Sequence, residues 1–362
     1  MVNKTFSTEL LDFINEAPTP YHAVGLMRNY LLKHGYEELY ENDSWLLKKK
    51  GKYFVTRAES SIVAFTYSKD LKTGFRMVGA HTDSPCLKIK PQPVKITNGY
   101  QQLLVEVYGG VLLNPWFDRD LSLAGRVFVK SSSNKLRGYV VDFKKPLLVI
   151  PSLAIHLDRD ANKQRTINSQ NMIMPIIGLE ASGKFSLEKL LLNQIKIEHG
   201  IKNRLEVVDY DLSLYDTQKG LFTGEKEDFI ACARLDNLLS CFVGLRSLCD
   251  ASESQNKLLV CNDHEEVGSN SYGGARGTFL KSILERIFNN DESFSTMMAN
   301  SMLVSTDNAH GVHPNFIDKH DGNHLPILNQ GPAIKVNNNQ AYATSSETAA
   351  IIKQIAAKEK EK

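Results

Sequence analysis

Four times along this chain an apolar run of strand length stops abruptly on aspartate, glutamate or histidine. The runs are MVGAHTD (His81, Asp83), ACARLDN (Asp236), LLVCNDHEE (Asp263 to Glu266) and LVSTDNAHGVHPN (Asp307, His310, His313). Strands alternating with amphipathic helices build an α/β sheet, and sites in such sheets form beyond the carboxyl ends of the strands. Four strand ends of one kind therefore converge on one crevice. Two carboxylates ~4 Å apart at an effective dielectric of ~20 repel by ~4 kcal/mol. A cluster like NDHEE needs either solvent or a cation.

The remaining rhythm fills in the architecture. TELLDFINEA, broken at Pro18-Thr19-Pro20, and YHAVGLMRNYLLKHG, ending at Gly35, read as helices. KYFVT and SIVAFTY read as a hairpin. Between about residues 90 and 150, short β-rich runs are punctuated by Asn-Gly, Gly-Gly and Asn-Pro, without an amphipathic helix. A helix over SLEKLLLNQIKIE and a strand around EVVDYDLSLYD follow. From residue 229 the order is strand (FIACA), helix (DNLLSCFVGLRSLCDAS), strand (KLLVC), helix (GTFLKSILERIFNN), strand (SMLVSTD) and a final helix (SSETAAIIKQIAAKEKEK). The expected organisation is an α/β domain in two sequence halves, 1–90 and 226–362, with a β-rich insertion at 91–225.

Charge and cysteine usage narrow the class. A net charge of +2 gives no electrostatic case for a nucleic-acid or membrane partner. No apolar run approaches the ~20 residues that span a bilayer. The opening MVNKTFSTELLDF carries acids where a signal peptide is apolar, so the expected compartment is the cytoplasm. Five cysteines without a CxxC pair read as reduced core thiols and not as a thiolate metal site.

Imidazole and carboxylate without thiolate suit zinc, cobalt or manganese. Asp83, two residues after His81, lies on the same side of an extended strand and can accept the second ring N–H of His81. Adjacent Glu265 and Glu266 point in different directions, so one can ligate while the other takes a proton from an attacking water. Each residue also has a plainer reading. His81 alone is a hydrogen-bonded structural histidine, Asp236-Asn237 is a helix N-cap, and Asp307-Asn308 is turn chemistry. Lys335, in AIKVN, either meets a buried counter-charge or snorkels to solvent.

AHTDSP, ARLDNL, NDHEEVGS, STDNAHGVHPN followed by KHDGNHLPILNQGPAIKVNNNQAYAT, and the early APTPYHAV are together specific. Over residues from about 8 to 355 the chain resembles the aspartyl aminopeptidase family of dinuclear zinc metallopeptidases. The resemblance implies a mixed-sheet α/β zinc-exopeptidase domain with an inserted β-rich dimerisation domain, cytosolic and assembled into dodecamers built from dimers. It implies that His81 and Asp307 hold one zinc, that Asp236 bridges, and that Glu266 belongs to the second zinc. Glu265 is then the general base, Asp83 orients His81, and the peptide after Asp236 is cis. His156, in IPSLAIHLDRD, would reach a neighbouring subunit's site, and Lys335 would meet the acidic side chain of a substrate. His313 is the expected pocket residue among His310, His313, His320 and His324. The family takes a further histidine for its second zinc from near its C-terminus. The last histidine here is His324, so one tightly held metal per chain and weak hydrolysis are expected.

The implied activity is release of N-terminal residues, preferably Asp or Glu, from peptides. Its rivals are a related dinuclear hydrolase of another amide, such as an acylated amino acid, and a non-catalytic assembly protein.

Overall fold

Near-continuous buried runs build the main sheet, and strands that alternate between buried and more exposed residues build a second. The computed structural model describes residues 4–67, 73–252, 255–288 and 291–359. The chain divides into two units, Met1–Asp307 and Asn308–Lys362.

Helices α1 (Lys4–Asn15) and α2 (Pro20–Lys33) lead into strands β1 (Glu37–Glu38), β2 (Gly51–Arg57), β3 (Ser61–Tyr67) and β4 (Arg76–His81). Next come β5 (Cys86–Thr97), β6 (Tyr100–Tyr108), β7 (Leu121–Ser131), β8 (Leu136–Asp142) and β9 (Ile176–Leu179). Helix α3 (Leu187–His199) and β10 (Leu205–Asp216) follow, then the short β11 (Leu221–Thr223) and β12 (Phe229–Ala231). The first unit closes with α4 (Leu235–Asp250), β13 (Lys257–Asn262), α5 (Phe279–Ile287), α6 (Asp291–Ala299) and β14 (Met302–Ser305).

The main sheet runs β1-β2-β3-β13-β4-β14, and β13, β4 and β14 are mutually parallel. Tyr53, Val55, Val63, Phe65, Met77, Leu258 and Val260 face a core closed by Phe279, Ile283 and Ile287 of α5. Their neighbours Phe54, Ile62, Ala64, Leu259 and Cys261 face the opposite way, onto Val24, Met27 and Leu31 of α2 and Cys241, Leu245 and Leu248 of α4. Each such side chain contributes roughly 1.5–3 kcal/mol of burial. The central β13 is buried along its whole length, as expected of a strand covered on both faces. Gly244 lets α4 approach closely, since a Cβ there would stand 2.7 Å from the Leu259 side chain. Lys257, at the root of β13, is buried yet satisfied: its ammonium donates to the carbonyls of Leu248 (3.0 Å) and Ala251 (2.6 Å) at the end of α4.

The second sheet, β8-β7-β10-β5-β6-β9, is antiparallel throughout. One face carries Leu87, Leu103, Val105, Leu121, Leu123, Val127, Val141, Leu212 and Leu214 against Leu187, Leu191 and Ile195 of α3. The Asn308–Lys362 unit holds helix α7 (Ser346–Lys358). A reciprocal cap starts it: the Thr348 N–H donates to Ser345 Oγ and the Ser345 N–H to Thr348 Oγ1.

Three local expectations differ from the structure. FIACA forms only the three-residue β12, paired with β11 in a separate ribbon outside the main sheet. An apolar run this short looks the same in a ribbon as in a sheet. Helix α6 was not expected. The helix expected over GTFLKSILERIFNN ends at Ile287, and residues 289–290 lie outside the described residues, as do residues 360–362 of the expected terminal helix. No helix among the described residues is long and apolar enough to cross a membrane.

Candidate metal centre

The carboxyl ends of three adjacent parallel strands build one side of the site. His81 closes β4 and pairs in register with Asn262 of β13. The Thr82 N–H donates to the Asn262 carbonyl at 2.8 Å, and the Thr306 N–H to the Gly79 carbonyl at 2.7 Å. These bonds bring the residues after β4, β13 and β14 to a common rim. Asp307 follows β14, and Glu265 and Glu266 lie on a single 3-10 turn after β13.

Asp236 arrives by another route. It sits in the first turn of α4, behind Arg234, which starts the helix from a left-handed conformation (φ 60°). Neither a strand end nor an N-cap describes it. The helix begins two residues earlier than the N-cap reading requires, with Arg234 and not Asp236 at the cap. The Ser84 hydroxyl donates to Asn237 Oδ1 at 2.8 Å and ties that turn to the loop after β4. No cis peptide occurs among the described residues, so the bond after Asp236 is trans, contrary to expectation.

The side chains meet around the His81 ring. Nε2 of His81 is buried, has no hydrogen-bond partner, and lies 3.8 Å from Asp236 Oδ2 and 3.6 Å from Asp307 Oδ1. Ligand atoms of His81, Asp236 and Asp307 fall within 4.8 Å of one another, and so do those of His81, Glu265 and Glu266. Both triplets share the one imidazole. Burial pulls the His81 ring towards neutrality, but Asp307 and Asp83 outweigh it and hold the pKa at about 10. Burial, and next the Asp307 charge, raise the Asp236 carboxyl. Burial also lifts Glu266 to about 7, with Asp236, Asp83 and Glu265 adding repulsion that His81 opposes. A field that raises acids and favours a cation on the imidazole suits a divalent ion. The orphaned Nε2 and the N/O donor set fit zinc.

Asp83 is 1% exposed and supports this cluster. Its Oδ1 stands 3.4 Å from His81 Nδ1, and Nδ1 also lies 3.1 Å from the Asp83 carbonyl. The Asp83 carboxylate accepts the Glu265 N–H and the Glu266 N–H, both at 3.1 Å. Burial raises its pKa, but His81 and the Tyr108 hydroxyl outweigh that and leave it lowered. Tyr108 was not foreseen. Its hydroxyl donates to Asp83 Oδ2 at 2.6 Å across 25 positions of sequence, and a tyrosine before Gly109-Gly110 is the only local signal. The thiol of Cys241 donates to the His81 carbonyl at 3.0 Å, a further unforeseen support.

The other two titratable residues of NDHEE, Asp263 and His264, are engaged elsewhere. Asp263 is buried and caps its own turn, its Oδ1 accepting the His264 N–H at 2.8 Å. His264 is left-handed (φ 66°) and its Nδ1 meets the Ser271 hydroxyl at 2.8 Å. His156 lies in an exposed turn, outside both triplets. In the Asn308–Lys362 unit, Lys335 Nζ donates to the Asn308 carbonyl at 3.3 Å. There too, the His313 N–H donates to His320 Nε2 at 3.1 Å.

An α/β sheet with an imidazole–carboxylate cluster beyond its parallel strand ends defines a metallohydrolase class of site. Comparison with known proteins specifies it. The profile of the family described as aminopeptidase I zinc metalloprotease (M18) matches residues 13–362. A probable M18 family aminopeptidase 2 of Pseudomonas aeruginosa (strain UCBPP-PA14) is 52% identical over 349 residues, which are 96% of this chain and 81% of that protein. The structure of Chaetomium thermophilum mApe1 superposes with a TM-score of 0.88 at 33% identity, covering 99% of this chain and 86% of that one. The S. cerevesiae mApe1 dodecamer gives 0.83 at 28% identity, covering 98% and 83%. The chain belongs to the M18 family of zinc metallopeptidases and is a metallo-aminopeptidase.

Proposed function

We propose that this aminopeptidase releases single N-terminal residues from peptides with a preference for Asp and Glu, using the cluster around His81. The observation that carries the reading is the buried, unpartnered His81 Nε2 facing Asp236 and Asp307, with Glu265 and Glu266 beside it. His81, Asp236, Asp307 and Glu266 would hold zinc. When bound, it supplies Lewis acidity towards the scissile carbonyl and its attacking water. Glu265 takes the proton from that water and passes it to the leaving amine. Asp83 keeps the His81 ring in one tautomer through Nδ1. The acidic residues of the cluster attract the substrate's free α-ammonium, which favours removal of one terminal residue over internal cleavage.

Lys335 is the group that would pair with a substrate's acidic side chain. Its support is the likeness of GPAIKVN to the aspartyl aminopeptidases. His313 would line the same pocket. In this reading residues 1–90 and 226–362 form the catalytic domain, and residues 91–225 form an inserted dimerisation domain. His156, exposed on that insertion, would reach a partner's site in a homo-oligomer of the dodecameric kind seen for mApe1. The compartment in this reading is the cytoplasm. Because both triplets share His81, we further propose one tightly held zinc per chain, with the second ion weakly bound.

The test is a panel of aspartyl, glutamyl and leucyl anilides, each free and N-acetylated, with elemental analysis of the protein. Free aspartyl and glutamyl substrates should lead, and Lys335→Met should cost them about 10–100-fold in kcat/KM while sparing leucyl substrate. Faster turnover of leucyl substrate would overturn the acidic preference, and activity on acetylated substrates alone would overturn the exopeptidase reading. Two zinc ions retained after dialysis would overturn the single-site count.

A further inference from the structure

We propose that Tyr108, on the second sheet, is a positioning residue for the metal centre: its hydroxyl fixes Asp83, and through Asp83 both the His81 ring and the Glu265–Glu266 backbone. The proposal rests on reading the His81 cluster as that centre. Tyr108 is the last residue of β6, and its hydroxyl donates to Asp83 Oδ2 at 2.6 Å. The same oxygen accepts the Glu266 N–H at 3.1 Å. Oδ1 accepts the Glu265 N–H at 3.1 Å and stands 3.4 Å from His81 Nδ1. An ionised carboxylate offers about four acceptor sites, and here three donors from two chain segments fill three of them, with the His81 ring beside the fourth. Without the phenol, Oδ2 keeps a single amide and the carboxylate can turn about its last torsion.

The tyrosine ring is itself held. Lys88 Nζ lies 4.8 Å from the ring centroid and is fixed by Asp211, whose oxygens it meets at 2.9 and 3.0 Å. Asp211 in turn accepts the Tyr21 hydroxyl at 2.8 Å. The next residue, Gly109, adopts φ 71°, and a Cβ there would come within 2.9 Å of the Glu266 Cβ. The second sheet therefore touches the centre twice, with a hydroxyl on Asp83 and with bare backbone against Glu266. The placement of Asp83 and Glu266 is then not a property of the main sheet alone.

Tyr108→Phe in the full chain removes the hydroxyl and leaves the ring. Zinc affinity, read by competition with a chromophoric chelator, should weaken about 10–100-fold. Amide exchange at Glu265 and Glu266 in zinc-free protein should speed about tenfold, with exchange at Val105 unchanged. In a double-mutant cycle with Asp83→Asn, the two effects on zinc affinity should be strongly non-additive. Unchanged exchange at those two amides would overturn the proposal, as would equal speeding along all of β6, which marks a merely structural tyrosine. If the wild-type chain takes up no zinc, the metal reading fails, while exchange in the zinc-free protein still decides the role of Tyr108.

Discussion

The two six-stranded sheets solve different problems with similar residues. The main sheet is covered on both faces, so its central strand is buried throughout, with an apolar middle between Lys257 and Asn262, and polar groups gather at its strand ends. The second sheet is covered by α3 on one face. Its strands alternate, and polar side chains such as Lys88, Asp211 and Tyr108 occupy the other positions. In the main sheet, backbone register places the functional groups; from the second sheet, side-chain reach does. Side-chain position in the first case is as rigid as the ladder itself. In the second it depends on single hydrogen bonds.

Mutations in the two regions should therefore fail differently. Glu265→Gln, at a strand end of the main sheet, should lower kcat by about 10²–10⁴-fold while zinc content and the unfolding midpoint stay at wild-type values. Loss of bound zinc in that variant would break the separation between ligand and base. Next in size are the cores. Leu259→Ala and Leu123→Ala, both essentially fully buried, should each cost about 2–5 kcal/mol. Because the two leucines belong to separate apolar clusters, calorimetry should show Leu123→Ala lowering the melting of the second sheet alone. A common shift of one transition would show that the sheets unfold together.

A smaller effect concerns acid. His22, on α2, is held neutral chiefly by burial, with Lys144 and Arg234 adding to it, and its pKa falls to about 4 from an ordinary 6.5. Below pH 6.5 the unfolded chain takes up a proton that the folded chain refuses until about pH 4. Stability therefore declines as pH falls through that window. In His22→Gln the decline between pH 6.5 and 4 should be shallower in urea midpoints, and an identical slope would remove His22 as its source. Smallest of all, Glu206→Gln breaks the exposed Lys130–Glu206 pair on the second sheet (2.9 Å). It should change stability by no more than about 0.5 kcal/mol in the same assay.

Legibility in the sequence followed the same division. His81, Glu265, Glu266 and Asp307 were readable because parallel strands put whatever follows them on one rim, so a local pattern carried long-range information. Asp236 was readable as a residue type but not as a place: ACARLDN looks like a strand end, whereas the helix begins at Leu235. Tyr108 was not readable, because its partner is fixed by how two sheets meet and not by anything within VEVYGG. Helix α6, over DESFSTMMA, offered little apolar periodicity, and of its methionines Met297 is fully buried. Asp83 was expected to orient a ring and was found to hold two backbone amides as well.

The ammonium of Lys257 lies at the opposite end of α4 from Asp236, and at the opposite end of β13 from Glu265. Pinning the last carbonyls of the helix to the root of the strand makes the pair a set of callipers with a locked pivot. With Gly244 seated on Leu259 along the arms, the helix cannot slide past the strand without breaking both lysine bonds. The spacing of Asp236 from Glu265 and Glu266 is thus gauged from the far ends of helix and strand, by a lysine that two carbonyls hold.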